Sequence, residues 1–237
     1  MSDFSHSLAL MARLTAANLR RRRREAAGLA AFAAVAVFAL QLGLVLLIDC
    51  PRLFDRLALD QSAPDFAVVE SEAAWSERQL DGLKANPAVR QCETERVIFA
   101  RAAPVYNGTP TPTTVMLSDF DRPRRLDRPA QVDGAEALTD DAIYLPYAFK
   151  VGGGYDVGDR FTVELPGYDL DLEVAGFINE VFYGSLLRDW HRFYVTTAVW
   201  RDIAEQIPAR VGVLLSVSLD DPAAADQMYL DYMTEEV

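Results

Sequence analysis

The sequence predicts an α+β protein in which one N-terminal transmembrane helix is followed by a mixed α/β extracytoplasmic domain. Three observations support this: an uncharged apolar run over residues 26–48, five arginines at positions 20–24 directly before it, and later segments of strand and helix character without a regular βαβ repeat. The predicted organisation is a cytoplasmic basic leader (1–25), a transmembrane helix (26–48), a stalk (49–64) and an extracytoplasmic α+β domain (65–237).

The apolar run is long enough to cross a membrane. It has 23 residues, no charge and a single amide, Gln41. At about 1.5 Å per residue it covers about 34 Å, against a bilayer core of about 30 Å. A cleaved signal peptide is the alternative, but its apolar region has about 7–15 residues and ends at small residues. A lipoprotein signal would have a small residue directly before its cysteine, whereas here Asp49 precedes Cys50. We therefore predict a retained span.

The arginine block determines the predicted orientation and localisation. Because Lys and Arg are enriched on the cytoplasmic flank of a span, we expect a cell-membrane protein (inner or plasma membrane) with a cytoplasmic N-terminus and the bulk of the chain outside. Before the block, Leu8, Met11 and Leu14 recur at helical spacing. They fit either an amphipathic helix on the inner membrane face or the first turns of one long helix.

The net charge of −12 is distributed unevenly. Residues 1–25 carry a net +4, whereas the remainder contains 17 basic and 33 acidic residues. The acidic exterior argues against nucleic acid or anionic lipid as partners, since both favour Lys/Arg surfaces. We favour the interpretation that the acidic residues keep the domain soluble over the alternative that they form an acidic recognition surface. Cys50 and Cys92 show no disulfide-framework spacing, so two unpaired cysteines are favoured over a bridge between them.

Strand and helix signals fill the exterior domain. In chain order they predict a helical stalk at 52–57, a strand at 66–69, a helix capped by Ser71 and running to Ala85, a strand at 89–103, and a turn at Asn107–Gly108 before a strand at 113–117. Residues 121–141 are rich in Arg, Pro and Asp and are expected to form a connecting loop. Further strands are predicted at 142–146, 160–165, 170–178, 193–196 and 211–219, and helices at 147–151, 198–206 and 222–233.

Several segments stand in a characteristic order. A leader (residues 14–22, LTAANLRRR) enters the span, and residues 142–146 (AIYLP) precede 155–163 (YDVGDRFTV) and a strand at 172–178 (LEVAGFI). A Tyr-Val strand from Tyr194 and an Asp-Asp-Pro step before a helix complete the order. Together they resemble the N-terminal part of the FtsX-like, MacB-type permeases of ABC transporters. Within this order, Gly158 permits a tight turn and Asp159 can hydrogen-bond the backbone that enters the strand.

This resemblance implies a MacB-like periplasmic core domain in a non-catalytic permease subunit. Such a subunit works with a separate ABC ATPase and with a second permease, as a homodimer or heterodimer. Family members carry further spans after the exterior domain, commonly three, and this sequence shows none. The other strongly apolar run, at 211–219, has nine residues and is too short to span as a helix. We therefore expect a permease subunit or an N-terminal fragment of one, with its substrate unidentified.

Motifs for catalysis or cofactor binding are weak. The chain has no Gly-x-x-x-x-Gly-Lys-Ser/Thr sequence and only two histidines, His6 and His191. We therefore assign no catalytic, cofactor-binding or metal-ligating residue, and expect no enzyme. Asp140–Asp141 and Asp220–Asp221 are interpreted as caps or turns. An aromatic set is interpreted as packing rather than a ligand site: Phe182, Tyr183, Trp190, Phe193 and Tyr194.

Two other functions stay open. A single-span, membrane-anchored extracytoplasmic binding or signalling module is the alternative to the permease. An anchored extracytoplasmic hydrolase is the least favoured, because the sequence offers no clear combination of nucleophile and base.

Overall fold

The computed structural model describes residues 22–106, 109–135, 137–183 and 190–234. The leader residues 1–21 and the turn at Asn107–Gly108 lie outside the described residues, so the predictions made for them stay predictions. The chain divides into two compact units, residues 1–55 and 56–237. Cys92 is a free thiol, whereas the side chain of Cys50 lies outside the description.

The first described element is a single long helix. Helix α1, Arg23–Gln61, begins in the first unit and ends in the second. Its stretch Arg23–Asp49 is long and apolar enough to cross a membrane, and none of that stretch is buried within the protein. Ala and Leu, both strong helix formers, dominate this stretch. The predicted span and the predicted helical stalk are therefore parts of one helix.

The second unit contains four further α-helices and eleven strands among its described residues. The helices are α2 (Glu77–Ala85), α3 (Tyr147–Gly153), α4 (Thr197–Gln206) and α5 (Ala225–Met233). The strands are β1 (Phe66–Ser71), β2 (Val89–Ala102), β3 (Val105–Tyr106), β4 (Thr109–Pro110), β5 (Thr113–Asp119), β6 (Ala130–Gly134), β7 (Ala142–Pro146), β8 (Arg160–Leu165), β9 (Tyr168–Asn179), β10 (Trp190–Val195) and β11 (Val211–Leu219). The predicted α+β class, with one N-terminal apolar helix, is confirmed.

Nine of these strands form one mixed sheet. Its order is β1-β11-β2-β5-β10-β7-β9-β6, and β8 pairs with both β2 and β9. Strand β10 runs parallel to β5, and β7 runs parallel to β9. Strands β7 and β11 are buried along their whole length, which is typical of strands covered on both faces.

Alternation along the strands separates the two faces of the sheet. Ile98, Leu117 and Phe193 belong to the main hydrophobic core, against which the Val199 and Trp200 side chains of α4 pack. Residues at the alternate positions, such as Val97 and Met116, belong to a different cluster. Successive side chains of a strand point to opposite faces, so the second face also carries a buried layer.

The predicted helix start at Ser71 is wrong. Strand β1 continues through Ser71, which pairs with Gly212 of β11, and α2 begins at Glu77. The hydroxyl of Ser71 accepts a hydrogen bond from the backbone N–H of Ala74 at 3.2 Å. The same side-chain chemistry that caps a helix therefore stabilises a turn at the end of a strand.

The predicted loop over residues 121–141 is wrong for Ala130–Gly134, which forms β6 at the edge of the sheet. Strand β6 pairs antiparallel with β9 and contains a register shift between Gln131 and Asp133. Because it is a short edge strand with Val132 45% exposed, it lacks the apolar alternation that would identify it in the sequence.

Gly176 lies where β6 and β9 approach each other closely. A Cβ atom on Gly176 would lie 2.9 Å from the Cα of Gly134 and would also meet the carbonyl oxygen of Asp133. Gly134 itself has a φ of 108°, a conformation that side-chain-bearing residues rarely adopt. The glycine in the LEVAGFI segment is therefore a packing requirement at this edge of the sheet.

We predict that Gly176→Ala destabilises the second unit by about 1–3 kcal/mol, because the added methyl group overpacks against backbone atoms. Denaturant unfolding of the full chain in detergent micelles can be followed by tryptophan fluorescence, since Trp75, Trp190 and Trp200 all belong to the second unit. The control is Val132→Ala on the facing strand, with an expected change of about 0.5 kcal/mol or less. Equal losses for the two variants would contradict the prediction.

Candidate functional site

Five ionisable side chains meet in the interior of the second unit. They form what we call the charge cluster: Glu95, Arg124, Asp127, Glu180 and Arg192. The side chain of each is at most 7% exposed. Removing an ion from water costs several kcal/mol unless it is paired and hydrogen-bonded. Among the described residues, burial of this cluster therefore has a high free-energy cost that its ion pairs and hydrogen bonds must offset.

Arg192, on β10, lies at the centre of the cluster. Its Nη2 donates to Oε2 of Glu95 at 2.5 Å, and its Nε donates to the hydroxyl oxygen of Ser118 at 2.8 Å. Its Nη1 donates to Oδ2 of Asp127 and, at 3.3 Å, to Oε1 of Glu180. One guanidinium thus joins β2, β5, β10 and the segments that follow β5 and β9.

Arg124 carries the second positive charge. Its Nε and Nη2 donate to Oε2 and Oε1 of Glu95 at 2.8 and 2.7 Å, a bidentate pair. The same guanidinium donates to the carbonyl oxygens of Asp119 at 2.5 Å and Arg122 at 3.1 Å. The segment after β5 therefore folds around its own arginine side chain.

Strand β2 supplies further acceptors to this segment. Oε2 of Glu93 accepts hydrogen bonds from the N–H groups of Arg125 at 2.9 Å and Leu126 at 3.1 Å. The carbonyl oxygen of Thr94 accepts from Nη2 of Arg122 at 2.5 Å. These contacts explain why β2 begins with polar residues: they bind the segment that covers that end of the strand.

Tyr194 connects the two arginines to Glu180. The centre of its ring lies 5.2 Å from Cζ of Arg124 and 5.1 Å from Cζ of Arg192, within range of cation–π attraction. Its hydroxyl donates to Oε2 of Glu180 at 2.8 Å. Burial raises the pKa of Tyr194 well above its usual 10, so this phenol remains a neutral donor.

The surroundings shift the pKa values of the acids in opposite directions. Burial alone would raise the pKa of Glu95, but Arg192 and Arg124 outweigh it and lower the pKa from 4.5 to about 2. Burial raises the pKa of Glu180 from 4.5 to about 8, with the negative charge of Asp127 adding to the rise and Arg192 opposing it. Burial also raises the pKa of Asp127, against the attraction of Arg192. The surroundings therefore favour the ionised form of Glu95 and the protonated form of Glu180.

The acid-bearing segments also bind the end of α1. Gln61, which is 1% exposed, donates its side-chain N–H to the carbonyl oxygen of Asn179 at 2.9 Å. The N–H of Asp127 donates to the carbonyl oxygen of Ser62 at 3.0 Å, and that of Arg128 to the carbonyl oxygen of Gln61 at 2.9 Å. The end of the helix is thus hydrogen-bonded to Asp127, which is an acid of the charge cluster, and to Asn179, which directly precedes the cluster acid Glu180.

The residues considered for chemistry in the sequence have structural contacts. Oδ1 of Asp221 accepts a hydrogen bond from the N–H of Ala223 at 3.0 Å, and Oδ1 of Asp140 accepts from the hydroxyl of Thr196. His191 is 2% exposed, and its ring centre lies 5.0 Å from that of Phe149.

The aromatic set is split between the interior and the surface. Tyr183, Phe193 and Tyr194 are buried, whereas Trp190 is 39% exposed. Their partners are other aromatic rings, such as Phe149 for Phe193, and for Tyr194 the charge cluster. These contacts are packing contacts, and Tyr194 in addition bonds a cluster acid.

Within the described ranges, no group of three or more His, Cys, Asp or Glu side chains is placed to hold a metal ion. Two open clefts of about 320 and 330 Å³ are lined in part by Arg101 and Glu164, and by Tyr168 and Asp202, respectively. Neither is lined by a member of the charge cluster.

Comparison with known proteins gives structural similarities alone. No family model and no curated protein matches the chain. The chain is similar in structure to the extracellular domain of the noncanonic ABC-type transporter YknZ from Gram-positive bacteria (16% identity, TM-score 0.34, covering 68% of this chain and 88% of that one). It is also similar to the periplasmic region of MacB from Actinobacillus actinomycetemcomitans (11%, 0.34, 72% and 82%). A third similarity is to a domain of a protein described as a permease from Porphyromonas gingivalis (15%, 0.32, 72% and 72%).

The charge cluster as a whole was not predicted from the sequence. One signal was present: Arg192 stands within a strand whose next residues, Phe193 to Val195, are all apolar or aromatic. The acids that pair with it could not be identified in the same way, since Glu95, Asp127 and Glu180 lie 97, 65 and 12 residues from Arg192.

We predict that Arg192→Met lowers the free energy of unfolding by about 3–5 kcal/mol, because it leaves buried acids without their shared partner. The matched control is Arg160→Met, which removes a 2.9 Å ion pair to Asp171 whose side chains are both 53% exposed. That change should cost about 1 kcal/mol or less. Denaturant unfolding at pH 7 checks both values, and similar losses would contradict a central role for Arg192.

A second prediction concerns acid. The lowered pKa of Glu95 contributes stability that is fully present above its unfolded value of 4.5 and is lost as the pH falls from 4.5 towards 2. Stability should therefore fall less steeply over this window in Glu95→Gln than in the original chain. Glu205→Gln, a change at an exposed site, should retain the original slope. An unchanged slope in Glu95→Gln would show that another group controls acid unfolding.

Proposed function

We propose that the chain is a permease subunit of an ABC transporter of the FtsX-like, MacB type, or the N-terminal part of one. In this proposal its second unit is an extracytoplasmic domain that changes conformation when a separate ATPase subunit hydrolyses ATP. The observation that carries the proposal is helix α1, which contains the apolar stretch Arg23–Asp49 and ends at Gln61, a residue bonded to the interior of the second unit. The order of sequence motifs from residue 14 to Met233 supports it.

The attachment of Gln61 is suited to a mechanical role. A side chain that is 1% exposed and donates to a backbone carbonyl holds its partner in one geometry, and the two backbone bonds from Asp127 and Arg128 add to it. Movement at the end of α1 therefore reaches β9 and the segment after β5 through hydrogen bonds. Export or signalling across the membrane requires such a connection between a membrane helix and an exterior domain.

The remaining parts of the proposal follow from the permease class. The five arginines at 20–24 favour a cytoplasmic N-terminus, on the side where an ATPase partner has access to ATP. A second permease, identical or related, completes the proposed assembly. The chain itself contributes conformational coupling rather than catalysis.

The first test is the genomic DNA past the codon for Val237 and in the neighbouring genes. The permease proposal expects further hydrophobic spans and an adjacent gene for a P-loop ATPase. A stop codon together with no ATPase gene nearby would favour the single-span binding or signalling module instead.

The second test is biochemical. We predict that the tagged full chain, purified in detergent from its native host, retains an ABC ATPase. Gln61→Leu should lower the ATP hydrolysis of this complex by about fivefold, the factor that corresponds to the loss of a buried hydrogen bond of about 1 kcal/mol. Asp60→Asn, at an exposed position on the same helix, should leave the rate unchanged. If no ATPase is retained, or if both variants hydrolyse ATP at the original rate, the coupling role is wrong.

A further inference from the structure

The charge cluster contains more acids than bases. Two guanidinium groups, of Arg124 and Arg192, meet three carboxyl groups, so that full ionisation would leave one uncompensated negative charge in the interior. A buried charge without a partner is strongly unfavourable, and the usual response is to take up a proton. We propose that the charge cluster binds one proton on Glu180, and that loss of this proton loosens the hydrogen bonds that hold the end of α1.

The geometry selects Glu180 among the three acids. Glu95 is held by both guanidiniums and receives a bidentate pair from Arg124. Asp127 makes the shorter of the two contacts to Nη1 of Arg192, whereas Glu180 lies 3.3 Å from the same atom. Glu180 is therefore the acid with the weakest charge compensation, and its raised pKa agrees with this ranking.

Both carboxyl oxygens of Glu180 have a donor nearby. Oε2 accepts the hydrogen bond from the hydroxyl of Tyr194 at 2.8 Å, and Oε1 lies 3.3 Å from Nη1 of Arg192. The charged or titratable groups that influence Glu180 come from β10, from the segment after β5 and, across Arg192, from β2: Arg192, Tyr194, Arg124, Asp127 and Glu95. Arg128, further along the segment after β5, is exposed and donates to the hydroxyl oxygen of Ser62 instead.

Proton loss would act directly on the attachment of α1. Glu180 follows Asn179, whose carbonyl oxygen binds Gln61, and the N–H of Asp127 binds Ser62. When Glu180 becomes negative beside Asp127, repulsion between the two carboxylates separates the segments that both hold the helix end. The domain would then respond to the pH of its surroundings, whether or not it belongs to a transporter.

The main experiment measures the unfolding of the full chain in detergent micelles between pH 5 and pH 9. A carboxyl group whose pKa is raised by folding contributes stability that is fully present below its unfolded pKa and is lost as the pH rises through its folded pKa. We therefore expect the ratio of folded to unfolded protein to fall by more than about tenfold between pH 5 and pH 8, since each pKa unit corresponds to a factor of ten.

Variants assign this loss to one side chain. Glu180→Gln mimics the protonated acid and should remove most of the pH dependence, whereas Glu173→Gln, at an exposed position of β9, should retain it. Tyr194→Phe removes a hydrogen bond that lowers the pKa of Glu180, so the loss of stability should extend to higher pH. This second variant keeps the proposal testable if Glu180→Gln does not fold.

Two measurements on the folded chain complete the test. Infrared difference spectra between pH 6 and pH 9 should show the carbonyl stretch of a protonated carboxylic acid that Glu180→Gln lacks. Hydrogen exchange, corrected for its intrinsic pH dependence, should show the amides of Asp127 and Arg128 losing protection above pH 8 in the original chain and not in Glu180→Gln.

The outcomes separate this proposal from its alternatives. Equal pH dependence in the original chain and in Glu180→Gln, or no infrared band at pH 6, would overturn it. If the pH dependence of stability disappears in Asp127→Asn and persists in Glu180→Gln, the proton is on Asp127, and the proposal is also overturned. Unchanged protection of Asp127 and Arg128 would refute the link to α1. None of these measurements involves an ATPase, so failure here is distinct from failure of the permease proposal.

Discussion

The pairing of the buried guanidinium of Arg192 is the interaction on which the second unit depends. A cation that is 1% exposed persists only if acceptors surround it, and here they come from β2, β5 and the segments after β5 and β9. Each of those elements must be in place before the charge is compensated. The cluster therefore links strands that are distant in sequence, and it penalises any arrangement in which one of them is displaced.

The same requirement explains features that otherwise look unrelated. Residues 121–128, an Arg- and Asp-rich stretch, fold inwards because Arg124 and Asp127 belong to the cluster, and Glu93 binds the backbone between them. The end of α1 is held by the same segments through Gln61. The helix end and the buried ions are connected through hydrogen bonds to the same segments, whether this arrangement serves a transporter or an anchored module. A change in the cluster therefore alters the attachment of the helix end, and the reverse also holds.

Sequence patterns predicted the strands best where burial imposes a regular period. Strand β11 was predicted with its observed bounds, and β8 likewise, since their apolar residues follow continuous or alternating patterns. Prediction failed where a polar side chain had two possible roles. Ser71 stabilises a turn after a strand rather than a helix start, and β6 is an exposed edge strand whose Gln131 and Asp133 carry no strand signal. In both cases the sheet partner decided the conformation, and a single sequence does not reveal that partner.

By itself the sequence determined the apolar helix, the acidic composition of the chain after residue 25 and the α+β class, because these depend on composition and on the local period of apolar residues. Gly176 stood in the sequence only as part of the LEVAGFI segment, and the reason for a glycine there, the close approach of Gly134, comes from the structure. Only the tertiary structure decided that Arg192 is buried and that Glu95, Asp127 and Glu180 surround it. Ion pairing in an interior depends on which distant residues meet, and one excess acid among them is visible only when all five are brought together.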